Sequence, residues 1–150
     1  MNHAALESPS LILRIVLGKM VGFFIGLAGI STLPIFAADF SWMLMIGIVL
    51  WYSSLGAIIG VFGVFDNQPV FEIAIPWWLR APLLGGWFNF VLTLLAYDQL
   101  SSLLNSITWF RAQMFSSPFW FVLEGAIVGF IIGAVCNWLG GEGAKTVRSL

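Results

Sequence analysis

The chain has 150 residues, of which 60% are hydrophobic and 9% charged, with a net charge of −1 and a mean hydropathy of +0.99. Soluble domains carry about 25% charged residues, so this chain has too few polar side chains to clothe a water-facing surface, and its solvent must be lipid. It holds no basic block to suggest nucleic-acid binding; with Cys136 its only cysteine and His3 its only histidine, it offers no disulfide, thiolate cluster or haem ligand, and neither cofactor nor metal is expected.

A helix needs about 20 mostly apolar residues to cross the hydrocarbon. The first such stretch runs over about 11–36, opened by the Ser8-Pro9 start signal, with Arg14 and Lys19 early enough to snorkel outward. It is too long for a signal-peptide core of about 7–15 residues, and Ile35 or Phe36 stands where a small residue would precede cleavage near Ala37-Ala38, so no cleavage is expected. The second stretch runs over about 42–65, capped by Asp39 or Ser41 and ended by Asp66-Asn67-Gln68-Pro69. Before the third, Pro76-Trp77-Trp78-Leu79-Arg80 sets paired tryptophans beside an arginine, the composition of an interfacial elbow, with Trp77, Trp78 and Arg80 as anchors.

The third stretch spans about 80–98. After it, Ser101 to Phe115 places Leu103, Leu104, Ile107, Phe110 and Met114 roughly at helical spacing among Ser102, Asn105 and Gln113, which predicts an amphipathic interfacial helix. The fourth stretch, about 118–139, opens at Ser116-Ser117-Pro118 and stops at Gly140-Gly141; the polar segment 140–150 reads as a flexible tail. The expected fold is therefore an all-α integral membrane protein: one domain over 1–150, a four-helix bundle with one further helix at the interface.

Orientation follows from the cations. Arg14, Lys19, Arg80, Lys145 and Arg148 fall on one side and Arg111 alone on the other. The positive-inside rule then places both termini in the cytoplasm of a multi-pass cell-membrane protein.

An internal repeat is visible. Trp51-Tyr52-Ser53-Ser54-Leu55-Gly56-Ala57-Ile58-Ile59-Gly60 aligns without a gap on Trp120-Phe121-Val122-Leu123-Glu124-Gly125-Ala126-Ile127-Val128-Gly129, while Gly18 and Phe23 match Gly85 and Phe90 at a slightly different offset. A duplicated helical hairpin accounts for this, its two copies parallel and related by an axis along the membrane normal. Glycines recur every fourth residue at Gly18, Gly22 and Gly26, at Gly56 and Gly60, and at Gly125, Gly129 and Gly133. Residues four apart share a helix face, and small-residue faces let helices approach closely where lipid supplies no hydrophobic drive. Three such zipper-like stripes exceed what one hairpin requires, so some are expected to pack against another copy or a partner membrane protein. The third stretch has Gly85-Gly86 at its start, then Asn89 and Thr93, four apart.

Glu124 is the one carboxylate clearly within a stretch. At that depth it must be paired, wet or protonated, which makes it a functional candidate. Its expected partners are Arg111, Gln99, Ser116 and Ser117, with Asp98 level with it. No catalytic triad, phosphate loop or metal-ligand cluster is present, and no enzyme is expected. The leading expectation is a non-enzymatic protein that assembles through its glycine faces. The alternative is a small channel or transporter for a cation or proton, with Glu124 and Asp98 at an outer vestibule and Asn89 and Thr93 along the path. A lipid-binding role for the tryptophan elbow ranks third.

Overall fold

The computed structural model describes residues 11–36, 41–64, 75–106 and 117–141. Among them are five α-helices and no strand: α1 (Leu11–Phe36), α2 (Trp42–Phe62), α3 (Trp77–Leu95), α4 (Tyr97–Ser106) and α5 (Trp120–Gly140). Segments of α1, α2 and α5 are long and apolar enough to cross a membrane. α3 qualifies only together with α4, to which it is joined at a 94° bend. Arg80, Pro82 and Asn89 dilute its apolar run.

Local chemistry sets the boundaries. Ser41 caps α2, its hydroxyl accepting from the Met43 N–H at 3.3 Å; the other cap candidate, Asp39, lies outside the described residues, as does Ser8-Pro9. α2 closes at Gly63, shorter than the predicted end at 65. α3 begins at Trp77, so Trp77 and Trp78 form its first turn rather than a separate elbow, and Pro82 sits inside the helix. The third predicted stretch does not continue to 98. It breaks at Ala96, which leaves the helical region (φ −122°, ψ 30°), and the chain turns into α4. That helix starts earlier than the predicted amphipathic element and is its described part; Leu104 is its buried residue, and 107–116 lie outside the described residues. α5 opens without a side-chain cap: Phe119 stands at its N-terminus, and Ser117 and Pro118 contribute only backbone carbonyls. Its end falls at Gly141, whose φ of 69° is open to glycine at no steric penalty and whose N–H bonds the Asn137 carbonyl.

Two hairpins, α1–α2 and α3–α5, hold most of the packing, and contacts between them are fewer. The glycine faces are used inside these hairpins. A Cβ placed on Gly18 would fall on the Gly56 carbonyl and one on Gly56 on the Gly18 carbonyl; Gly22 abuts the Tyr52 carbonyl, and Gly26 would bring its Cβ 2.8 Å from Val49 Cα. In the second hairpin Gly85 abuts the Gly125 carbonyl, Gly129 abuts Ala81, and Gly133 abuts the Ala81 methyl. The third helix, read from sequence as lacking a stripe, thus contributes Ala81 and Gly85 to a close seam.

The two seams share a register. Arg14 faces Gly60, Gly18 faces Gly56 and Gly22 faces the Tyr52 carbonyl; Ala81 faces Gly129, Gly85 faces Gly125 and Asn89 bonds the Phe121 carbonyl. The residues paired in one seam occupy the positions that the sequence alignment matches to those paired in the other. Where the hairpins meet, the core consists of Leu55, Ile59, Ala81, Val128, Ile132 and Cys136. It lies toward the end of the bundle that carries Arg14 and Arg80.

Candidate functional site

One cluster of polar side chains lies between the hairpins. Asn89, wholly buried on α3, is the hub. Its amide nitrogen donates to the Phe121 carbonyl at 2.9 Å and to Glu124 Oε2 at 3.0 Å, and its carbonyl oxygen accepts the Trp51 indole N–H at 2.9 Å. The Tyr52 hydroxyl lies 2.5 Å and 2.6 Å from the two oxygens of Glu124 and donates to the carboxylate. Thr93, one turn beyond Asn89 and also wholly buried, donates back to the Asn89 carbonyl at 2.7 Å. Among the described residues no buried side-chain polar atom lacks a hydrogen-bond partner. In hydrocarbon such an orphan would cost several kcal/mol, so the network holds its own geometry. The first hairpin supplies Trp51 and Tyr52, the second Asn89, Glu124 and Thr93. Neither makes the site alone.

This network departs from the repeat. In the aligned registers, Asn89 stands where the first hairpin has Gly22, and Glu124 where it has Leu55, a core residue 1% exposed. Asn89 and Glu124 therefore sit at positions where the two aligned hairpins differ.

Beside the network lies a cavity of about 840 Å³. All five helices border it, through Ile25 and Gly29 of α1, Ile48, Trp51 and Tyr52 of α2, Leu92 of α3, Gln99 and Leu103 of α4, and Phe121, Glu124 and Ile127 of α5. Drug-sized ligand sites run to about 300–1,000 Å³. The lining is overwhelmingly apolar, and the half-buried Glu124 is its one carboxylate. The amphipathic α4, turned across the bundle by the bend after α3, borders one end of this space.

The opposite end is closed. The core residues fill it, and the space among Arg14, Gly63, Trp77, Arg80 and Gly133 amounts to about 10 Å³, roughly one water. Arg14 does not snorkel outward as expected. It is 1% exposed and points into the bundle, its guanidinium donating to the Gly60 carbonyl at 3.2 Å and the Cys136 carbonyl at 3.5 Å. Arg80, 5% exposed, reaches the Gly63 carbonyl at 3.4 Å. Both therefore tie hairpin to hairpin. Lys19 is exposed.

The structure thus joins Glu124 and Asn89, two of the residues singled out from sequence, and sets Thr93 against Asn89. It does not join Asp98, which is exposed on α4 and does not border the cavity. Glu124 bonds Tyr52 and Asn89 on other helices rather than Gln99 or Ser117; Arg111 and Ser116 lie outside the described residues. Nor do Asn89 and Thr93 line an open path, since both are wholly buried and their polar groups are engaged. Sequence reasoning missed Tyr52 and Trp51. The signal was present in the aligned pairs Trp51/Trp120 and Tyr52/Phe121: where one segment has phenylalanine, the other adds a hydroxyl.

The fold and site define an all-helical protein with three helices, or four if the bent pair counts as one crossing, fit for a membrane. No known family model matches the chain, and no curated protein or solved structure resembles it.

Proposed function

We propose that the chain is a non-enzymatic, four-span protein of the cell membrane, both termini cytoplasmic, that carries a cation or proton through a site centred on Glu124. On this reading it arose by tandem duplication of a helical hairpin, and the bend at Ala96 lets α3 cross while α4 lies at the outer interface. The observation that carries the reading is the asymmetry of the space between the hairpins. A cavity of about 840 Å³ with a hydrogen-bonded carboxylate on its wall lies toward one end, and a packed core closes the other. A permanently open channel does not fit that arrangement; an outward-facing carrier does. Each hairpin is a tight unit zipped by glycine contacts, while the hairpins touch each other less extensively. Parallel repeats that rock about a shared site are a common route to alternating access.

The second reading is assembly with copies of itself or with a partner membrane protein. It draws support from bulky side chains turned outward, such as Trp42, Met43 and Trp138. The glycine faces no longer argue for it, because they are spent within the chain.

In proteoliposomes, Glu124→Gln should abolish cation or proton movement while the protein migrates unchanged on a native gel. Wild-type flux in Glu124→Gln overturns the carrier. A lone monomer in mild detergent, with no co-purifying partner, overturns assembly.

A further inference from the structure

The cavity selects among cations, and this selection builds on the carrier reading above. A small inorganic cation sheds its water only where oxygens replace it; calcium, for instance, takes about six to eight oxygen ligands. Here the lining side chains that carry oxygen are Glu124, Tyr52, Thr32 and Gln99, and of these only Glu124 and Tyr52 are bonded to each other, so the oxygens are not gathered into the shell a small cation needs. A neutral apolar guest would fill the volume but leave an ionised carboxylate facing it without compensation. An anionic guest would meet like charge. Among the described residues, no cation pairs with Glu124; its bonds run to Tyr52 and Asn89, both of them neutral donors. Three aromatic side chains, Trp51, Trp120 and Phe121, border the same space, and aromatic rings attract a diffuse positive charge.

We infer that the cavity between the hairpins takes a lipophilic organic monocation, its charge against Glu124 and its apolar body against the walls shared by α1, α2 and α5. The volume admits a body of drug size, and the site's depth in apolar surroundings favours entry by a molecule that itself partitions into lipid. Asn89 and Tyr52 are positioning residues: their hydrogen bonds fix the Glu124 carboxylate at the cavity wall.

The test uses the purified full chain in phosphatidylcholine nanodiscs, with radiolabelled tetraphenylphosphonium as probe and empty nanodiscs as blank. Saturable binding is expected, and Glu124→Gln should weaken it about tenfold or more, as removal of one partner of a desolvated charge pair does. Gly47→Phe supplies a second variant. Gly47 borders the cavity and a Cβ there meets nothing within 4 Å, so a larger side chain can be accommodated and is expected to reduce the space left for the guest. It too should weaken binding. Tetraphenylborate, of the same shape and opposite charge, should not saturate. Borate binding equal to phosphonium binding, or undiminished phosphonium affinity in Glu124→Gln, overturns the assignment. No phosphonium binding alongside Glu124-dependent proton movement refutes the ligand class and spares the carrier. Saturable, Glu124-dependent binding without any flux supports the site and refutes the carrier.

Discussion

Gly60→Ala tests the claim that the glycine faces hold each hairpin together from within. An added Cβ would lie 2.6 Å from the Arg14 carbonyl oxygen, 3.0 Å from its carbon and 3.1 Å from Ile15 Cα. Unstrained contacts between carbons lie at about 3.5–4.0 Å, so α1 and α2 must part by roughly 0.5–1 Å, a gap that forfeits a quarter to a half of each dispersion contact along the seam. Overpacking of this kind costs about 1–3 kcal/mol. The Arg14 guanidinium also donates to the Gly60 carbonyl at 3.2 Å, and losing that bond adds about 0.6 kcal/mol. The better helix propensity of alanine offsets at most about 1 kcal/mol. The net expectation is a loss of about 1–3 kcal/mol. Gly47→Ala is the control, since its methyl meets nothing within 4 Å; it keeps the propensity gain and should be neutral or slightly stabilising. Unfolding in mixed micelles with rising dodecyl sulfate, followed by far-ultraviolet circular dichroism, measures both. Gly60→Ala as stable as Gly47→Ala would refute the reasoning. So would a loss that varies with protein concentration, because the seam would then lie between chains.

Two further outcomes follow from the same geometry. Asn89→Leu removes bonds to Trp51, Phe121 and Glu124; at about 0.6 kcal/mol apiece it should destabilise the protein by roughly 2 kcal/mol in the same micelle assay, and an unchanged midpoint would deny the hub role. Cys136 is wholly buried in the closed end, its thiol against the Arg14 carbonyl at 3.5 Å. A maleimide should leave it unmodified in the resting protein, and on the proposed carrier reading should label it once a transported cation is supplied; rapid labelling at rest would contradict the closed core.

Much of the architecture was legible because lipid imposes a simple demand. Backbone groups must bond within their own segment, so runs of about 20 apolar residues become helices, and α1, α2 and α5 lie where hydropathy put them. The four-residue spacing of the glycines marked which helix faces could approach closely, since a glycine at a close crossing cannot be replaced without a clash. Glu124 and Asn89 stood out because polar groups in hydrocarbon are expensive. Local signals failed where the third stretch ends: Ala96 carries no proline or glycine to announce the bend. They failed again at Arg14, whose long side chain reads equally well as snorkelling outward or reaching inward.

Composition and spacing alone determined that this chain is helical with stretches apolar enough to cross a membrane, and which residues could pack closely, because these follow from each segment's own side chains and backbone. Which helix each glycine face meets, that Tyr52 and Asn89 rather than Asp98 accompany Glu124, and that a cavity opens beside them, only the tertiary structure decided. Those facts depend on how two separately zipped hairpins lean on one another, and a contact between segments dozens of residues apart leaves no periodicity in either.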